Sequence, residues 1–174
     1  MKKLKILLVA LAVIFCGFSK DSQRSKTGVT VPFKFEGVII TDNSSETVCT
    51  PKGAPYPYIA HARTGWLQGN QSHGGRLITE QSTWTIFNCH TDFTSGINTS
   101  YIEGVNTVAN GDSYSYTCIM LTNIVTMEVV LNVTVTGGGT GRYEGATGQA
   151  VLTGVHAGDA GIPVNGWGSV TFYK

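Results

Sequence analysis

The chain has 174 residues, 22 of them Gly, with only 13 % charged side chains and a formal net charge of +1 from 12 basic and 11 acidic groups. That length supplies one ordinary domain with a sizeable core behind a short leader. Sparse charge with abundant Gly, Thr and aromatic residues argues against a helical bundle or a disordered chain, and without a basic field there is nothing to recruit the phosphates of a nucleic acid.

The first local signal lies at the N-terminus. Met1-Lys2-Lys3-Leu4-Lys5 is basic, Ile6 to Phe15 is an unbroken apolar run, and Cys16-Gly17 follows at once. A basic start before an apolar run of about half a bilayer span has the form of an export signal. The expected organisation is a signal over 1–16, a polar tether over 17–28 and one β-domain over 29–174. Cys16 at the junction predicts acylation and a lipid anchor, hence a cell-envelope lipoprotein, periplasmic or associated with an outer membrane. Val13-Ile14-Phe15 departs from the small residues that usually precede such a cysteine, so simple cleavage and secretion is the alternative. Nothing later in the sequence is long and apolar enough to span a membrane.

Past residue 29 the pattern has period two, with turn residues between the runs. Strands are expected near Thr30–Thr41, Ile59–Leu67, Arg76–His90, Thr99–Val108, Ser113–Leu121, Thr126–Thr136, Gln149–Val155 and Gly166–Tyr173. In the fifth, Tyr114, Tyr116, Cys118 and Met120 alternate with Ser and Thr; in the sixth, Met127, Val129, Leu131, Val133 and Val135 share a face. Eight short strands in sequence fit an all-β, antiparallel up-and-down barrel, with a two-sheet sandwich as the alternative. The up-and-down order sorts the connections onto two ends. One end is Gly-rich and tight, with Asn110-Gly111 predicting a two-residue hairpin turn. The other collects longer, less regular connections, where binding residues usually sit.

Three segments at the tight end carry a family resemblance. They are Gly69-Asn70-Gln71-Ser72-His73-Gly74-Gly75-Arg76, Val108-Ala109-Asn110-Gly111-Asp112, and Gly138-Gly139-Thr140-Gly141-Arg142-Tyr143-Glu144-Gly145-Ala146-Thr147-Gly148. Each resembles a turn motif of bacterial secreted proteins with the allene oxide cyclase-like barrel, a fold shared with the dirigent proteins. The resemblance covers about residues 60 to 173 and implies an eight-stranded barrel. It carries no catalytic residues over, since those bacterial proteins are mostly without assigned activity. His73, Arg76, Asp112, Arg142 and Glu144 fall within the motifs, either bracing turns or forming a charged site.

No motif for nucleophilic, zinc-dependent, phosphate-binding or calcium-binding chemistry appears, and no cofactor or metal is implied. Barrels of this size are either filled by side chains or hold one small ligand. Trp66, Trp84, Tyr101, Tyr114 and Tyr116 are candidates to line such a pocket or to pack as core or as an outer layer between subunits, which leaves a homo-oligomer open. Glu103 is a mid-strand carboxylate that becomes an acid–base candidate if it points inward. His61, His90, His156 and Asp92 fall near strand ends on the long-loop side and mark a candidate mouth. Among the three cysteines after the leader, Cys49 and Cys89 are the expected disulfide, because the loop holding Cys49 and the end of the third strand share that side. The expected function is the binding of a small hydrophobic ligand or a partner at the long-loop end. The alternatives are a cyclase or isomerase acting on a reactive apolar substrate in the cavity, and a filled structural or surface-interaction barrel.

Overall fold

The computed structural model describes residues 27–52, 58–61, 63–158 and 161–174. The expected signal, Cys16 and nearly all of the tether lie outside them. Eleven strands form among the described residues: β1 Gly28–Thr41, β2 Glu46–Lys52, β3 Tyr58–His61, β4 Thr64–Gln71, β5 Gly75–Arg76, β6 Thr83–Asp92, β7 Ile97–Thr107, β8 Ser113–Asn123, β9 Glu128–Gly139, β10 Thr147–Val155 and β11 Ile162–Tyr173. Two single-turn 3-10 segments, Thr79–Gln81 and Gly141–Tyr143, interrupt the sequence of strands.

The sheet order is β3-β2-β6-β7-β8-β9-β10-β11-β1-β4-β5, and β6 pairs with β4 as well. The β4–β6 pairs Thr64↔Thr85, Gly65↔Trp84 and Trp66↔Thr83 therefore close β1, β4 and β6 to β11 into a ring of eight antiparallel strands. Neighbours in the ring follow chain order, as expected for an up-and-down arrangement, and closure removes the exposed edges that invite aggregation. Period-two alternation sets which face turns inward. In β8, Tyr114, Tyr116 and Cys118 are buried while Ile119 is 43 % exposed; in β9, Val129, Leu131 and Val135 are buried; in β11, Val164 and Val170 are buried while Trp167 is 78 % exposed. The inward residues of all eight ring strands meet in one core.

Three connections differ from the expectation. The second expected strand is split: β3 pairs only with β2, and β4 alone enters the ring. Ser45 makes the break, because its hydroxyl accepts the backbone N–H groups of Arg63 at 3.0 Å and Thr64 at 3.1 Å. The third expected strand is interrupted too. Leu77 leaves β5 to bridge Val108 and bury itself, so the ring strand starts only at Thr83. The turn at Asn110-Gly111 is a three-residue one. Gly111 has φ of 88° but Asn110 does not share the positive region, and Val108 and Asp112 pair across residues 109–111. Asn110 instead spends its side chain on Asp112, donating to Oδ2 at 2.9 Å and accepting from the backbone N–H at 3.1 Å.

The long-loop end is also tighter than its sequence suggested. β6 and β7 run on to Asp92 and back from Ile97, and β8 and β9 are joined through residues 124–127, so both connections are short turns. Between β1 and β4 the described residues include an excursion made of β2 and β3. There β2 runs parallel to β6 beside its last residues, Thr50↔His90 to Lys52↔Asp92, beyond the point where β4 pairs with that same edge. A disulfide between Cys49 and Cys89 fastens the excursion to the ring. Cys118 is free and buried at the middle of β8, not at the strand end with the other two cysteines.

Candidate functional site

A cavity of about 560 Å³ runs along the inside of the ring. That is the size of a pocket for one small molecule. Its lower end lies at the tight turns, where a layer of buried side chains forms a floor. Tyr143, Leu77 and Val108 are each no more than 2 % exposed, and the Tyr114 and Tyr143 rings pack with centroids 4.9 Å apart. A hydrogen-bonded chain crosses this layer. Asn106 Nδ2 donates to the Tyr114 hydroxyl at 2.8 Å, that hydroxyl donates to Gln71 Oε1 at 2.6 Å, and Gln71 Nε2 donates to the Tyr143 hydroxyl at 3.0 Å.

Above the floor the wall is built by setting large side chains against glycines. Gly65, Trp84, Gly104 and Tyr116 are successive cross-strand partners over β4, β6, β7 and β8. A Cβ on Gly65 would meet the Trp84 indole at 2.6 Å, and one on Gly104 would meet the Tyr116 ring at 2.5 Å. The two glycines are what let the two rings lie along the wall. Small and large residues alternating inside a closed sheet is how its taper is filled. Higher up, Ile102, Cys118, Leu131, Val133 and Leu152 make the wall apolar. The rim carries Thr41, Asn43, Asn98, Ile124, Met127 and His156, all from the strand ends and turns at the other end of the ring.

Among the described residues the lining holds no Lys, Arg, Asp or Glu. Burial raises the Tyr114 and Tyr116 hydroxyls above the ordinary phenol value and pushes the Cys118 thiol up to about 12. All three are therefore neutral at physiological pH. Among the described residues two buried polar atoms have no hydrogen-bond partner, Trp84 Nε1 and Asn106 Oδ1, and both residues line this cavity. Buried polar groups are normally paired, so such orphans call for an explanation. No group of three His, Cys, Asp or Glu among the described residues is arranged to hold a metal ion.

Of the pocket candidates from the sequence, Trp84, Tyr114 and Tyr116 line the cavity. Trp66, Tyr101 and Glu103 do not. Trp66 is 37 % exposed, Glu103 is exposed, and Tyr101 packs outside against Phe87 and His90 with centroids 6.3 and 6.1 Å away. Each lies on the strand parity opposite to an inward neighbour, Leu67 for Trp66 and Ile102 for the other two. Of the mouth candidates with described side chains, His156 reaches the rim, where its Nδ1 accepts the Gly158 backbone N–H at 3.2 Å. His90 sits in the outer aromatic group, and Asp92 organises the β6–β7 turn by accepting the Thr94 backbone N–H at 2.9 Å. The side chain of His61 lies outside the described residues; its backbone pairs with Glu46. Asn106 and Gln71 were missed. The available signal was parity: Asn106 shares the face of Ser100 and Ile102, two buried residues of the same strand.

Three of the turn-motif residues, His73, Asp112 and Arg142, brace the closed end. Asp112 Oδ2 accepts the Arg142 Nε at 3.4 Å and its backbone N–H at 3.3 Å, the Arg142 guanidinium donates to the His73 carbonyl, and His73 Nε2 lies 2.8 Å from the Pro32 carbonyl. The Asn110 amide and then the Arg142 backbone hold the Asp112 carboxyl below its usual value. Comparison of the chain with family models and with curated proteins finds no match.

Proposed function

We propose that this chain is an exported binding protein that holds one small, apolar molecule inside an allene oxide cyclase-like barrel, entered from the end where Thr41, Asn98 and His156 form the rim. The observation that carries the reading is the cavity: about 560 Å³, walled by aliphatic and aromatic side chains, over a closed floor. Apolar burial is non-directional and scales with area, at about 25 cal/mol per Å², so such a cavity favours a hydrophobic occupant without further chemistry. The cavity counts against a packed interior. Among the described residues no carboxylate lines the cavity, and Glu36 and Glu103 are both exposed. Export is supported by the lipoprotein-like leader and by the Cys49–Cys89 bond, because disulfides persist in oxidising compartments. No helix among the described residues is long and apolar enough to cross a membrane.

The test is a plug. N-phenyl-1-naphthylamine, an apolar fluorophore, should brighten on binding the wild-type protein. Ala150→Trp, which projects an indole into the cavity from β10, should abolish the enhancement while leaving the circular dichroism spectrum unchanged. Enhancement that survives the plug would place the apolar site elsewhere and overturn the reading.

A further inference from the structure

We infer that the occupant of the cavity is a neutral amphiphile with a hydroxyl-type head, bound head-down at the floor by Trp84 and Asn106. This rests on the reading of the cavity as a binding site and adds the chemical class and orientation of what it binds. Trp84 and Asn106 are each only 5 % exposed, and each leaves one polar atom unpaired: a donor, Nε1, and an acceptor, Oδ1. They are close in the weave of the sheet. Trp84 pairs with Gly104, and Asn106 is the next residue on the same face of β7, which makes the two diagonal neighbours. One small polar group lying between the two is the simplest common complement to both.

The chemistry of the complement is set by the surroundings of these two atoms. An alkane or an ether leaves Asn106 Oδ1 without a donor, and a buried acceptor so left retains its full desolvation cost. A carboxylate would be stripped of water, and among the described residues the lining holds no Lys or Arg to replace it. A hydroxyl donates and accepts, so it satisfies both atoms and carries no charge. It also tolerates the one ambiguity of the floor. Were the amides of Gln71 and Asn106 both reversed, the chain through Tyr114 and Tyr143 would run the other way and present Asn106 Nδ2 instead, which a hydroxyl also meets. The wall above the floor, through Cys118, Leu131 and Leu152, offers the apolar body its contacts.

Displacement of N-phenyl-1-naphthylamine by three chains of similar length tests this: dodecan-1-ol, 1-methoxyundecane and dodecanoate at pH 8. The alcohol should half-displace the fluorophore at roughly one-tenth the concentration of the ether or the carboxylate, the worth of a net hydrogen bond. Trp84→Phe, which keeps a ring and removes the N–H, should bring the alcohol to the level of the ether without changing the ether. Asn106→Leu should do the same; because it also removes a bond to Tyr114, Trp84→Phe decides if that variant does not fold. Equal displacement by all three in the wild-type protein, or an alcohol preference that survives Trp84→Phe, would overturn the head-group assignment and leave the cavity reading standing. A fluorophore that does not bind at all would overturn both.

Discussion

Removing the Cys49–Cys89 bond should lower stability by several kcal/mol. The two cysteines are 40 residues apart in sequence, and the bond closes that length of chain into a loop. In the chain-entropy treatment a loop of that size removes roughly 13 cal/mol/K from the unfolded ensemble, or about 4 kcal/mol at 25 °C. Among the described residues β2 reaches β6 through three parallel pairs, and β3 pairs with β2. Both sulfur-bearing residues are at most 1 % exposed, so the bond also lies out of reach of solvent reductants in the folded state. In the variant Cys49→Ala/Cys89→Ala the urea midpoint should fall by about 2 M, taking a slope of about 2 kcal/mol per M for a domain of this size. Wild-type protein unfolded and refolded under strong reductant should show the same lowered midpoint. A shift under about 0.5 M would mean that β2 and β3 are held by their own contacts and that the entropic account is wrong.

Three further outcomes are expected. Gly141 has φ of 56°, and a Cβ there would collide with the Asp112 carboxylate, whereas Gly111, at φ of 88°, has open space around it; Gly141→Val should therefore cost more in denaturant midpoint than Gly111→Val, each above about 1 kcal/mol, and equal costs would refute the steric part of the argument. The Cys118 thiol, held up to about 12 by burial, should react with iodoacetamide far more slowly than an unfolded thiol at about pH 9. Its sign in stability is fixed by the same shift. The unfolded chain releases the proton near pH 9 while the folded chain keeps it to about 12, so stability should fall as pH rises across that interval, and Cys118→Ala should flatten the fall. A slope unchanged by that substitution would assign the alkaline sensitivity to Tyr114 and Tyr116 instead.

The number of ring strands and their order were readable from the sequence because turn residues punctuate the chain at regular spacing and Tyr114 to Met120 and Met127 to Val135 alternate with only Ile119 and Val130 out of pattern. β7 was harder to read. Thr99, Tyr101, Glu103 and Val105 compete there with Ser100, Ile102, Gly104 and Asn106, and both sets mix apolar with polar residues. The inward set includes a Gly and an Asn, which hydropathy scores as outward. What decides is tertiary: Gly104 is needed under the Tyr116 ring, and Asn106 is needed by the Tyr114 hydroxyl. Trp66 misled for the opposite reason. A large aromatic residue in a strand suggests the interior, but its neighbour Gly65 has to face inward to make room for Trp84, and that fixes Trp66 outside.

The same register logic links the disulfide to the mouth. Trp84 and Ile86 face inward on β6, and strict alternation would carry that face to His90, leaving Cys89 outside. The register shift between Ile86 and Asn88 breaks it: Phe87 and Asn88 are both exposed, and Cys89 and Thr91 are then buried. A bulge inserts one residue, bends its strand and re-aims the side chains beyond it. Here it re-aims Cys89 to Cys49 and Thr91 to the Asn98 amide, which donates to its hydroxyl at 2.8 Å and lies 3.8 Å from the Cys49 sulfur. β4 stops pairing with β6 at Thr85, before the bulge, and β2 starts at His90, after it. The edge of β6 is thus paired with β4 near the floor and with the fastened excursion near the rim, so separate stretches of chain cover the two ends of that seam. The rim is consequently the part that substitution can reshape with least effect on Trp84, Asn106 and the buried chain beneath them.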